Sequence, residues 1–206
     1  MALRHFLLAA TLLASATGAA AQENTRVIHS PWLALRIEQG GADVPLRFGG
    51  DLLTDADLAA APFTIVLPVR GDDDTYWLAA GADAAIFAET DPDSRRNLLD
   101  SPGLPAFFMP DTGTADTAAS SGVLMIDPTV HHHLTGLRLG PDLDRHIFYV
   151  SEISSRDEAG DLANRRIEDI DTPLHLVVWF DENGDGTMHF GEYEFLTLHF
   201  GNLAAN

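Results

Sequence analysis

Residues 172–200 read TPLHLVVWF-DENGDGTMHFGE-YEFLTLHF, and this stretch decides the fold. Leu174–Phe180 (LHLVVWF) is short, apolar and rich in β-branched and aromatic side chains, which suit a pleated, buried surface. Its apolar positions leave no helical 3.6-residue gap, so it reads as a strand. Tyr193–Phe200 (YEFLTLHF) alternates enough to be a second strand, although Glu192–Leu196 could also open a helix. Outward from this pair the same period-2 pattern recurs at Val27–Glu38, Phe63–Val69, Thr75–Ala79, Gly122–Ile126, Leu134–Leu139 and His146–Ile153. The runs on either side of Arg70–Asp74 (RGDDD) read as a hairpin around a polar turn. Short helices are expected at Thr54–Ala61, where Thr54 can cap, and around Asp91–Leu99, where Pro92 suits a first turn. Pro102–Ala119 reads as a long loop. Many short strands between Gly, Pro and Asp turns predict a mainly β protein: one β-sandwich-like domain with one or two short helices. The competing reading is α+β with a C-terminal helix–loop–helix at 181–192.

Composition narrows the function. The 206 residues carry 12 basic and 31 acidic side chains, a net charge of −19, and every basic residue is Arg. Such a field opposes nucleic-acid binding, which needs a basic footprint for the phosphates, and it repels an anionic membrane surface. With 46% hydrophobic residues the chain can still bury a core. Cysteine is absent, which removes disulfides, thiol nucleophiles and cysteine-based metal sites together.

Met1–Gln22 (MALRHFLLAATLLASATGAAAQ) has a basic start at Arg4, an apolar run Phe6–Leu13 and then small residues. Ala19-Ala20-Ala21 fits an A-x-A cleavage site, so residues 1–21 read as a secretory signal peptide and 22–206 as the mature domain. The apolar run is too short for a permanent span. The expectation is an exported protein, periplasmic or secreted, with no membrane insertion after cleavage.

Asp181–Glu192 (DENGDGTMHFGE) carries the chemistry. Asp181, Asn183 and Asp185 stand at loop positions 1, 3 and 5, where their oxygens can converge on one point. Gly186 at position 6 allows a sharp turn, Thr187 at 7 offers its carbonyl, His189 at 9 would act through a water, and Glu192 at 12 can close the shell with two oxygens. Hard oxygen donors in this order suit Ca²⁺. The segment resembles an EF-hand-type calcium loop, as in calmodulin-like proteins, dockerins and exported β domains, over about a dozen residues. The resemblance implies bound Ca²⁺ at Asp181, Asn183, Asp185, Thr187, His189 and Glu192. The flanks depart from the family, because Leu174–Phe180 lacks helical character, and Asp157–Glu168 (DEAGDLANRRIE) keeps too few ligands to be a partner loop. The reading is therefore a structural clamp on the C-terminal strands of a binding or structural envelope protein, with an envelope protein or extracellular ligand as partner. A helical calcium sensor is the rival.

A second constellation is His131-His132-His133. On a strand, His131 and His133 share a face and could hold Zn²⁺ or Cu²⁺ with His146, His175, His189 or His199, which would make a transition-metal hydrolase or metal-handling protein. Two ligands without a defined third specify no site. No G-x-S-x-G, H-E-x-x-H, Walker or G-x-G-x-x-G pattern occurs, and the acid pairs Asp55/Asp57 and Asp142/Asp144 read as solvated turns. The balance is against an enzyme.

Overall fold

The computed structural model describes residues 25–49, 53–71, 75–89, 104–105, 108–109, 114–115, 122–126, 132–135, 145–156, 162–185 and 189–201. Residues 1–21 and the helix expected at Asp91–Leu99 lie outside them, and so do Asp142 and Asp144.

The strands are β1 (Thr25–Val27), β2 (Arg36–Gln39), β3 (Ala42–Asp43), β4 (Leu46–Gly49), β5 (Leu53–Leu58), β6 (Phe63–Pro68) and β7 (Thr75–Gly81). After helix α1 (Ala85–Glu89) come β8 (Leu104–Pro105), β9 (Phe108–Met109), β10 (Thr114–Ala115), β11 (Val123–Ile126) and β12 (His132–Thr135). The chain continues through β13 (Arg145–Val150), β14 (Glu152–Arg156), β15 (Leu162–Arg166), a 3₁₀ turn at Ile167–Asp169, β16 (Leu174–Phe180) and β17 (Tyr193–Phe200). The protein is mainly β, as the strand patterning predicts.

An eight-stranded sheet runs β1-β4-β5-β17-β16-β7-β12-β8; a four-stranded sheet runs β13-β6-β2-β3 and a three-stranded one β11-β14-β15. β9 and β10 form a separate two-stranded ladder. Alternation sorts the side chains of the large sheet. Leu174, Leu176 and Val178 of β16, with Leu196 and Leu198 of β17 and Leu78 of β7, join Ile37, Ile65, Phe148, Leu124 and Ile153 from the two smaller sheets in one buried cluster. On the other face Val177, Trp179, Ala79 and Tyr193 form a second cluster with Ile86, to which Phe87 of α1 also packs. Both faces of the central hairpin are thus covered, which is why β16 reads as a continuous apolar run rather than an alternating one.

Four expectations change. Residues 53–58 form a strand, not a helix: Thr54, Ala56 and Leu58 are buried while Asp55 and Asp57 stay partly exposed, so a period of two overrides the capping signal. Arg47, on β4, pairs with both aspartates and lowers the pKa of Asp57 chiefly through its hydrogen bond. The two acids therefore brace neighbouring strands. β6 and β7 do not form a hairpin: β6 pairs with β2 and β13, whereas β7 pairs with β16 and β12. Each run buries residues in the shared core from opposite layers. Val27–Glu38 is broken at Ile28–Leu35, where Pro31 opens a turn between β1 and β2. Finally, the segments entering and leaving 181–192 are both strands, paired antiparallel from Leu174↔Leu198 to Trp179↔Tyr193, so the helix–loop–helix alternative falls.

Candidate metal site

The antiparallel pairing of β16 and β17 makes residues 181–192 the tip of a hairpin, closed where Phe180 N–H donates to the Glu192 carbonyl at 2.7 Å. The tip organises itself through side chains accepting from backbone, as short Asx side chains do in turns. Asp181 Oδ1 accepts from Gly184 N–H at 2.8 Å and Asp185 N–H at 3.2 Å. Asn183 Oδ1 accepts from the same Asp185 N–H at 2.9 Å, and its amide donates to Asp185 Oδ2 at 3.2 Å. Gly184 takes φ +72° and Gly191 φ +95°, left-handed conformations that glycine adopts without a Cβ penalty.

Glu192 is 7% exposed and turns its carboxylate into the loop. Oε1 accepts from Glu182 N–H at 3.2 Å and Oε2 from His189 N–H at 2.9 Å, so one carboxylate ties the entering limb to the leaving limb. His189 reaches Asp185 Oδ2 through Nε2 at 2.8 Å. That hydrogen bond raises the histidine pKa, and the charges of Asp185, Glu192 and Asp181 add to the shift. Asp181, Asn183, Asp185, His189 and Glu192 therefore sit in one tip, while Thr187, with Gly186 and Met188, lies outside the described residues. Among the described residues no three Asp, Glu or His side chains converge as a ready-made ligand set.

His131 lies outside the described residues, and His132 and His133 stand on β12 opposite Leu78 and Trp77. His146 is 3% exposed in the core, beside Tyr76 and Phe148. His175 bonds Thr197 Oγ1 at 3.0 Å; burial, then the nearby His199, depresses its pKa.

Sequence reasoning missed Glu194. It is 1% exposed, on the same inward register as Leu196 and Leu198. Its Oε1 accepts from Trp32 N–H at 2.6 Å and Leu33 N–H at 3.0 Å, while Oε2 is buried with no hydrogen-bond partner among the described residues. Burial raises its pKa; the Leu33 and Trp32 N–H groups, and in smaller measure the Ser30 hydroxyl, oppose the rise. A period-2 reading of YEFLTLHF contains the signal, an acid on the leucine face. Its partners, some 160 residues earlier, have none. Compared with protein-family models, curated proteins and solved structures, the chain matches none.

Proposed function

We propose that the protein is an exported calcium-binding protein whose hairpin tip, residues 181–192, holds Ca²⁺ and thereby stabilises the C-terminal strands. The observation that carries this reading is Glu192: a nearly buried carboxylate bridging both limbs of a loop whose other acids, Asp181 and Asp185, lie on the same tip. The donors are oxygens, as a hard cation requires. Asp181, Asn183 and Asp185 would supply side-chain oxygens, Thr187 its carbonyl and Glu192 its carboxylate. Asp185 Oδ2 is engaged with His189 and Asn183, so ion uptake exchanges those hydrogen bonds for coordination, and His189 is left to act through water. Between two strands the loop acts as a clamp, since it has no helix pair to open. A periplasmic or secreted location, with residues 1–21 as signal peptide, supplies the medium: extracellular modules bind calcium at about 10⁻⁴ to 10⁻³ M. An envelope protein or extracellular ligand is the partner class that fits a stabilised β scaffold of this charge.

Thermal unfolding of residues 22–206 in EDTA and in millimolar Ca²⁺, beside the Asp181→Ala/Glu192→Ala variant, tests the reading. At calcium tenfold above Kd the ion stabilises by about 1.4 kcal/mol, a rise in Tm of about 3–6 °C for a chain of this size. The variant should lose that rise. A wild-type protein with the same Tm in EDTA and in calcium overturns the proposal.

A further inference from the structure

The turn between β1 and β2 is docked on the frame of the acidic loop at three points. Glu194, two residues past Glu192, takes the Trp32 and Leu33 N–H groups on one oxygen at 2.6 and 3.0 Å. The Trp32 indole meets the Phe190 ring edge-on, with centroids 4.8 Å apart. The Trp32 carbonyl accepts from Arg70 Nη2 at 3.0 Å, and the Arg70 guanidinium lies 5.2 Å from the centre of the Phe180 ring. Phe180 immediately precedes Asp181, Phe190 lies within the loop, and Glu194 follows its close. The turn therefore meets the loop directly at Phe190 and, just past its close, at Glu194, while Arg70 bridges it to Phe180 at the entrance.

The turn is also under tension of its own. Ala34 sits at φ +53°, a left-handed conformation that a residue with a Cβ adopts only when its surroundings hold it there. What holds it is the Glu194 contact together with a local closure, in which Ser30 N–H donates to the Leu35 carbonyl at 2.8 Å and Leu35 N–H to Ser30 Oγ at 2.9 Å. Loosening the tip withdraws Phe190 from the Trp32 ring and leaves the strained segment held by Glu194 and Ser30 alone, next to β1, the edge strand of the large sheet.

We infer that residues 28–35 form a latch that closes on the hairpin tip when the tip holds Ca²⁺, so that ion occupancy is transmitted to the N-terminal segment. This rests on the calcium reading above. An ion bridging Asp181 and Glu192 orders the loop between them, and with it Phe190, the loop residue that meets the Trp32 ring, while Phe180 and Glu194 are held in place by the strand pairing itself. Coupling of this kind is reciprocal: a contact that closes the latch also raises affinity for the ion. Phe190 is the residue to remove, because it is 68% exposed and lies outside the proposed ligand set.

The test combines calcium titration calorimetry with amide hydrogen exchange on the mature wild-type protein and Phe190→Ala. Wild-type Trp32 and Leu33 amides should exchange more slowly in calcium than in EDTA, while those of the β6–β13 ladder stay unchanged. Phe190→Ala should bind one ion about two- to tenfold more weakly, the range expected for loss of one aromatic pair, and its Trp32 and Leu33 amides should exchange faster in calcium. Calcium binding that leaves wild-type Trp32 and Leu33 exchange unaltered overturns the latch and spares the calcium site. Absence of binding in the wild type overturns both.

Discussion

The body and the tip of one hairpin are held by different physics. In the body, Leu176, Val177, Val178 and Trp179 are each fully buried, with alternate residues facing two separate apolar clusters. Burial of that kind is non-directional and indifferent to small ions. In the tip, Asp181, Asn183 and Glu192 turn the chain by accepting backbone N–H groups, and the acids gathered there, Asp181, Asp185 and Glu192, also repel one another. The body is self-sufficient, whereas the tip, on the calcium reading proposed above, is conditional on the ion that neutralises it. On that reading an ion-dependent element stands at the end of an ion-independent one, and its loss leaves the fold intact.

Cutting the body should have the largest effect. Leu176→Ala deletes a fully buried side chain and should cost about 2–5 kcal/mol in urea unfolding, by the same amount in EDTA and in calcium. A loss that shrinks when calcium is added would show that the two regions are not separate. Cutting the tip should cost less. Glu192→Ala leaves the Glu182 and His189 N–H groups without their acceptor, which should cost about 1–3 kcal/mol in EDTA, and should abolish the further gain from calcium. An effect equal in both media would place Glu192 outside ion binding.

The smallest effect concerns pH and belongs to the body. His175 has its pKa depressed by burial and by His199. The unfolded chain therefore binds its proton first as pH falls, and the stability associated with neutral His175, present above about 6.5, is lost below it. His175→Gln should flatten the stability profile between about pH 6.5 and 5 by a fraction of a proton, which unfolding titrations at several pH values can read. An unchanged slope would assign that pH dependence to other groups.

The same contrast explains what the sequence discloses. β16 is legible to its exact bounds because it is buried on both faces and closed by Pro173 and Asp181. The acidic tip is legible because Asp181 and Asn183 act on backbone only two to four residues away and Glu192 on backbone within the same dozen residues. β5 is not, since Thr54, Asp55 and Asp57 imitate the capped, acidic start of a helix, and only pairing with β17 shows that the acids face outward to Arg47. The assignment of β6 and β7 to different sheets, and the grip of Glu194 on Trp32, depend on partners distant in sequence, for which local pattern carries no information.

The pairing of β5 with β17 also bears on how the chain folds. These strands lie side by side and parallel, from Leu53↔Phe195 to Leu58↔Phe200, and among the described residues it is through them that the β1-β4-β5 portion of the large sheet joins the β16-β7 portion. A nascent chain that ends before Tyr193 holds two half-sheets with open edges and no bridge. The large sheet is therefore completed only after synthesis has passed residue 200, and closure across so long a span is slow. Delay of that kind keeps a polypeptide threadable, and it leaves the same unpaired edges exposed to aggregation while the chain waits.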